Sequence, residues 1–260
     1  CKGCCLTKDD CELKQSLKQM IQMGAYVIAY STESNDVPAY VQMVESMMIK
    51  EIWTYSVFLQ RRMADLLTSG MIVRYVPPGC ALELDFNVSL DAPARNDSTA
   101  GFIGARDERR NRHRHRVIAS FGDRIVPAQL VKNPLAVRRY IERRPIQLNL
   151  HGKTNKHVLE MFRISMLLTN KACVFAERLG VDDDRAVDSL IFKDIVSFVP
   201  RVPLENMRNA VTALMDKGSG AVRACQERSR AWFCERFLPE KILSDSGFLD
   251  QWQKLSVRTI

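Results

Sequence analysis

Three short segments of this 260-residue chain carry residue types that could hold a phosphorylated ligand. The first is Gly101-Phe102-Ile103-Gly104-Ala105-Arg106, an apolar run that ends in small residues and leads into Arg109 and Arg110. Small residues let the backbone approach a phosphate, and the N-terminus of a following helix attracts anions. The third glycine of a dinucleotide fingerprint is missing, so a tight turn before a solvated basic helix accounts for the same residues. The second is Asn149-Leu150-His151, followed after a polar loop by Leu159, Glu160 and Arg163. A carboxylate near a helix start can accept both hydroxyls of a ribose diol. Three residues of spacing put Arg163 one helical turn from Glu160, so a surface ion pair is the plainer explanation. The third is Glu177-Arg178, at the end of the apolar run ACVFAE.

Such residues act together only if the chain brings them to one place. From Thr99 onward, apolar runs alternate with helical patterns. TAGFIGA, RIVPAQL, PIQLNLH, ACVFAE and IVSFV read as strands; segments 109–121, 134–143, 157–168, 204–215 and 221–237 read as helices. That alternation predicts a parallel sheet covered on both faces, with ligands at the carboxyl ends of its strands. Before it, residues 12–23, 39–52 and 56–68 show helical spacing, while AYVIAYST and MIVRYV read as strands. The polar stretch 87–98 reads as a linker. The expected organisation is an N-terminal domain over 1–97, a C-terminal nucleotide-binding domain over 98–240, and a tail helix over 241–260.

Composition narrows the partners. The net charge of +8 suits a phosphate-bearing ligand. The basic cluster from Arg106 to Arg116 has only Phe121 near it, whereas single-strand binders offer stacking aromatics, so no nucleic acid is expected. No stretch approaches the ~20 apolar residues of a membrane span. Cys1, Cys4, Cys5 and Cys11 crowd the start, and Cys1 with Cys4 makes only half a zinc motif, so no metal is expected. Cys80, Cys173, Cys225 and Cys234 are scattered, as buried thiols of a reducing, cytoplasmic protein would be. The chain begins with Cys rather than Met, which predicts a native start further upstream.

The run from Leu148 to Glu177 resembles the C-terminal domain of GT-B glycosyltransferases, and more narrowly a group related to the spore-maturation protein CgeB. The shared motifs are Leu148-Asn149-Leu150-His151, Leu159-Glu160, Arg163-Ile164 and Ala176-Glu177, with the turn around Gly104 upstream. Earlier, Trp53-Thr54-Tyr55-Ser56 and Tyr75-Val76-Pro77-Pro78-Gly79 are similar to further motifs of that group, in the same order. The resemblance implies an α/β fold of two Rossmann-like domains, GT-B type, with the N-terminal one short or truncated. It implies metal-independent sugar transfer from a nucleoside diphosphate sugar, without a cofactor, to a saccharide, protein or lipid acceptor. Gly104, Arg109 and Arg163 would face the diphosphate, Glu160 the ribose, His151 the phosphate or sugar, and Glu177 would line the donor site. Where such enzymes carry a first donor-site glutamate this chain has Gly152, and His151 is the nearest polar group. Glu33, in the N-terminal domain, is the candidate base beside His151. The same fold can also serve as a catalytically inactive nucleotide-binding or interaction module.

Overall fold

The computed structural model describes residues 8–31, 36–67, 70–80, 85–92, 95–103, 112–128, 133–151, 159–178 and 187–257. The chain divides into two compact units, Cys1–Val76 and Pro77–Ile260.

In the N-terminal unit, α1 (Lys8–Gln22) precedes β1 (Ile28–Ser31), α2 (Val37–Ser46), β2 (Glu51–Thr54), α3 (Val57–Ala64) and β3 (Ile72–Tyr75). The strands form a parallel sheet in the order β1-β2-β3. Side chains start the helices: the Asp36 carboxylate accepts from the Ala39 amide at 3.0 Å, and the Ser56 hydroxyl from the Leu59 amide at 3.1 Å. The helix expected over 39–52 ends at Ser46. Met48 then takes a positive φ of 64°, which turns the chain, and Ile52 sits fully buried in β2. A buried Glu51 at the start of β2 is held by Tyr26, by Trp53 Nε1 at 2.6 Å and by Arg74 Nε at 2.8 Å. Those donors compensate the desolvation of its carboxylate.

In the C-terminal unit, the sheet runs β4 (Ala100–Ile103), β5 (Ile125–Ala128), β6 (Ile146–Asn149), β7 (Cys173–Glu177) and β8 (Val196–Val199) in chain order. Their spatial order is β5-β4-β6-β7-β8, all parallel. Between them lie α4 (Arg112–Ser120), α5 (Pro134–Arg143), α6 (Met161–Thr169) and α7 (Val187–Ile191). After β8 come α8 (Glu205–Met215), α9 (Ser219–Arg236), α10 (Pro239–Asp245) and α11 (Phe248–Val257). Every described residue of β4, β6 and β7 is buried, as strands covered on both faces require. Their apolar side chains pack with Val117, Phe121, Val211 and Val222 from α4, its C-terminal turn, α8 and α9 in one core. Gly101 is a glycine for a local reason: a Cβ there would collide with the side chain of Gln147, its neighbour across the β4–β6 ladder.

The polar stretch expected as a linker is tied to the C-terminal unit. Phe86 N donates to Asn170 Oδ1 at 2.8 Å, Lys171 Nζ to the Val88 carbonyl at 2.9 Å, and Arg230 pairs with Asp85 at 2.6 Å. The tail after residue 240 forms two helices, α10 and α11, rather than one.

The four scattered cysteines are corrected by the structure. Cys80 is bonded to Cys234 and Cys173 to Cys225, so they are two disulfides and not buried thiols. Both bonds end on α9, one reaching β7 and the other the segment that enters the unit. Four cysteines allow three pairings, and spacing alone could not choose among them. Disulfides of this kind persist in oxidising surroundings.

Closing loops of 154 and 52 residues should each stabilise the C-terminal unit by roughly 4–5 kcal/mol in the chain-entropy picture. Alkylation of the denatured protein should leave Cys80, Cys173, Cys225 and Cys234 unmodified until a reductant is added. Melting curves with reductant should fall by well over 5 °C, at about 2–4 °C per kcal/mol. Alkylation of all four before reduction would show that the bonds do not form.

Candidate functional site

The strand order reverses once in the C-terminal unit. The chain leaves β4 to place β5 on one side, then returns across β4 to place β6 on the other. Crossovers on the two sides of such a reversal leave the sheet by opposite faces, and open parallel sheets bind ligands at this point. Several buried polar residues, among them Asn149, His151 and Glu177, lie at or just after the neighbouring strand ends.

Glu177, the last residue of β7, is 1% exposed. Its Oε2 accepts the His151 amide hydrogen at 2.8 Å, and its Oε1 meets Nε2 of His113, in the first turn of α4. Burial pushes the Glu177 carboxyl up, but the bonds from His113 and from the His151 amide outweigh it and hold the group below its ordinary value. A single carboxylate thus joins α4, the end of β6 and the end of β7.

His151 follows β6 and is also buried. Its Nε2 lies 3.3 Å from the Glu177 carbonyl, which can only accept, so Nε2 carries the hydrogen. Burial lowers the pKa of this imidazole, against the raising effect of Glu177 and Glu160, so its neutral form is favoured. Nδ1 is then a bare acceptor, buried and without a partner among the described residues.

Two guanidinium groups face the ring of the buried Phe102 in β4. The Arg163 carbon lies 5.6 Å from the ring centroid and the Arg114 carbon 5.0 Å. Arg163 also donates to Asn149 Oδ1 at 3.1 Å and pairs with Glu160 at 2.6 Å. Arg114, 9% exposed, reaches the Leu150 carbonyl at 3.4 Å. Burial pulls the Arg163 pKa down and Glu160 pushes it back up, so its charge is held by that partner.

Of the residues singled out in the sequence, His151, Glu160, Arg163 and Glu177 meet at the ends of the neighbouring strands β6 and β7 and the start of α6. Glu160 is the residue before α6, and its carboxylate turns to Arg163 rather than capping the helix. Gly104, Arg109 and Glu33 lie outside the described residues, as do Cys1, Cys4 and Cys5. His113, Arg114, Asn149 and Phe102 were not singled out as ligand-contacting residues. His113 and Arg114 stood inside a basic cluster whose plain reading was a solvated face, and only the fold reveals their buried partners. Among the described residues no group of three or more His, Cys, Asp or Glu could hold a metal ion, and no helix is long and apolar enough to cross a membrane.

Against solved structures, 92% of this chain superposes on 71% of a sucrose-phosphate synthase from Thermosynechococcus elongatus, with a TM-score of 0.60 and 12% identity. The fold is of the GT-B glycosyltransferase type. The glycotransferase of kitacinnamycin also matches, with 93% of this chain on 65% of that one, at a TM-score of 0.36 and 12% identity. No protein-family model matches the sequence, and no curated protein does.

The buried groups set an acid sensitivity. A carboxyl held below its ordinary value contributes stability that is present above pH ~4.5 and lost as pH falls through the lower folded value. A buried neutral histidine adds a second loss that begins as pH falls below ~6.5, because the unfolded chain takes up the proton first. The melting temperature of the wild type should therefore decline from pH 6.5 downward. His151→Phe should flatten the part between pH 6.5 and 5. Glu177→Gln, which gives up charge-assisted bonds, should cost about 2 kcal/mol at pH 7. A Glu177→Gln protein that melts like the wild type at pH 7 would contradict the buried network.

Proposed function

We propose that this protein transfers a glycosyl group from a nucleoside diphosphate sugar, with the donor held in the crevice between the carboxyl ends of β4 and β6. The observation that carries the reading is the pair of guanidinium groups, Arg114 and Arg163, at the one point where the strand order reverses. Sheets of this kind take ligands at such a point, and guanidinium groups suit the oxygens of a diphosphate. The GT-B fold says which chemistry such a crevice serves elsewhere, and the narrower likeness to the CgeB-related group rests on the order of the motifs alone.

In this reading the diphosphate leaves with its charge stabilised by Arg114 and Arg163, together with Arg109 and the backbone near Gly104. Preformed charges of this kind stabilise charge that develops in a transition state without further reorganisation. No metal and no cofactor take part. Glu160 holds the ribose diol, with its carboxylate oriented by Arg163. Glu177 lines the donor site and orients His113 and His151, which each engage one of its oxygens. Glu33 is the proposed base on the acceptor side. The acceptor is a saccharide, a protein or a lipid. The two disulfides point to work in oxidising surroundings rather than in the cytoplasm.

Thermal shift against UDP, GDP, CMP and their sugars tests the reading, because a ligand at one hundred times its Kd stabilises by roughly 2.7 kcal/mol. Glu160→Gln should weaken binding of the stabilising nucleotide on the order of tenfold, through loss of charge-assisted bonds. Its melting temperature should fall as well, because the buried Arg163 loses the carboxylate that holds its charge, so Kd is measured directly on the folded variant. If none of these ligands shifts the melting temperature, the glycosyl-transfer reading fails.

A further inference from the structure

Two side chains at the end of β6 have polar atoms that the protein leaves unused. Asn149 is fully buried, and its Oδ1 takes the hydrogen bond from Arg163. Arginine only donates, which fixes the orientation of the amide: the oxygen faces Arg163, and the Nδ2 donors point elsewhere. Nδ2 is buried with no partner among the described residues. Two residues on, His151 has its orientation fixed in the same way, because the Glu177 carbonyl only accepts and so meets the protonated Nε2. That leaves Nδ1 as a bare acceptor, likewise buried and unpartnered among the described residues. Asn149 is the last residue of β6 and His151 follows two residues on, with buried Leu150 between them packed in the core.

An unmet buried donor or acceptor costs about 1–3 kcal/mol. The end of β6 therefore holds an unmet donor and, two residues on, an unmet acceptor. A phosphate oxygen cannot fill the acceptor's place, since it brings only lone pairs to a lone pair. A hydroxyl can, because it donates one hydrogen and accepts another.

We infer that Asn149 and His151 form a hydroxyl-reading pair, in which a sugar hydroxyl of the ligand donates to His151 Nδ1 and accepts from Asn149 Nδ2. The inference rests on the donor-site reading proposed above, and it assigns His151 to a sugar hydroxyl and not to the diphosphate. The hydroxyl comes from the ribose or from the transferred sugar. The pair makes the site discriminating: a ligand without that hydroxyl leaves two buried groups unpaired, and sites of this type reject deoxy analogues far more strongly than they reject a change of apolar bulk. The burial that keeps His151 neutral, with Glu177, Glu160 and Arg201 as its charged neighbours, keeps Nδ1 an acceptor.

The test measures Kd on the full chain by calorimetry with UDP, GDP and ADP, with their 2′- and 3′-deoxy forms, and with UDP-glucose against its 2-, 3-, 4- and 6-deoxyglucose forms. One deoxy form should bind the wild type about tenfold or more weakly than its parent. Which arm shows the loss identifies the ribose or the transferred sugar as the source. His151→Phe, which removes both ring nitrogens, should erase that difference by weakening the parent alone. Asn149→Asp keeps the oxygen that faces Arg163 and removes the donor, and it should reduce the difference as well. Should these variants fail to fold, the wild type still decides. Long-range proton–nitrogen spectra should show His151 as the Nε2–H tautomer, with an Nδ1 signal that moves when the binding nucleotide or nucleotide sugar is added. The pair is overturned if a nucleotide binds but no deoxy form is discriminated, or if the Nδ1 signal stays still at saturation, as it would if the two atoms held only a water. If neither these ligands nor those of the thermal-shift screen bind, the donor-site reading itself fails and this inference falls with it.

Discussion

A parallel sheet wound in the order β5-β4-β6-β7-β8 must reverse its direction of winding between β4 and β6, and that reversal governs the rest of the C-terminal unit. The crossovers on either side leave the sheet by opposite faces, and open parallel sheets bind ligands at such a point. Burial elsewhere is close to complete, with β4, β6 and β7 covered on both sides. Asn149, His151 and Glu177 stand at the carboxyl ends of these strands, where the apolar core gives way to buried polar groups.

Charge at that edge is managed by short-range pairing. Glu177 stays below its ordinary pKa in spite of burial because His113 and the His151 amide both donate to it. Arg163 keeps its charge through Glu160 while its plane rests near Phe102. Each of these ions is compensated within the protein, which is the condition for holding a charge away from water. The neutral His151 and the amide of Asn149 are different: they keep one polar atom each in reserve. Compensated charges thus lie beside neutral groups that each keep a polar atom without a partner among the described residues.

Much of this framework was legible in the sequence. Apolar runs bounded by glycine, proline or polar turns marked seven of the eight strands among the described residues, and helical spacing over 134–143 marked α5. The missing strand, β2, is four residues long and includes Glu51, and the spacing of Val44, Met48 and Ile52 extends a helical pattern straight through it. No local rule reveals that Met48 turns the chain. The site was legible where its residues sit at strand ends, as His151 and Glu177 do. It was illegible where a role depends on a partner far away: His113 and Glu177 are separated by 64 residues. Arg114 was hidden in a run of basic residues, and the cysteine pairs could not be chosen from spacing. The stretch 87–98 misled for a physical reason, since a polar loop can be fastened by side chains from helices it has not yet met in the chain.

The bond between Cys80 and Cys234 gives the C-terminal unit a covalent property its sheet alone would lack. It closes a ring of backbone that contains all five strands and every crossover between them. A protease that cuts one peptide bond anywhere inside that ring opens a loop but releases no fragment. The nicked chain keeps its mass, and its two pieces stay held at the helix that anchors both sulfur bridges. Surface loops in this unit can therefore be broken once without the molecule coming apart, and damage of that kind would be visible only after reduction.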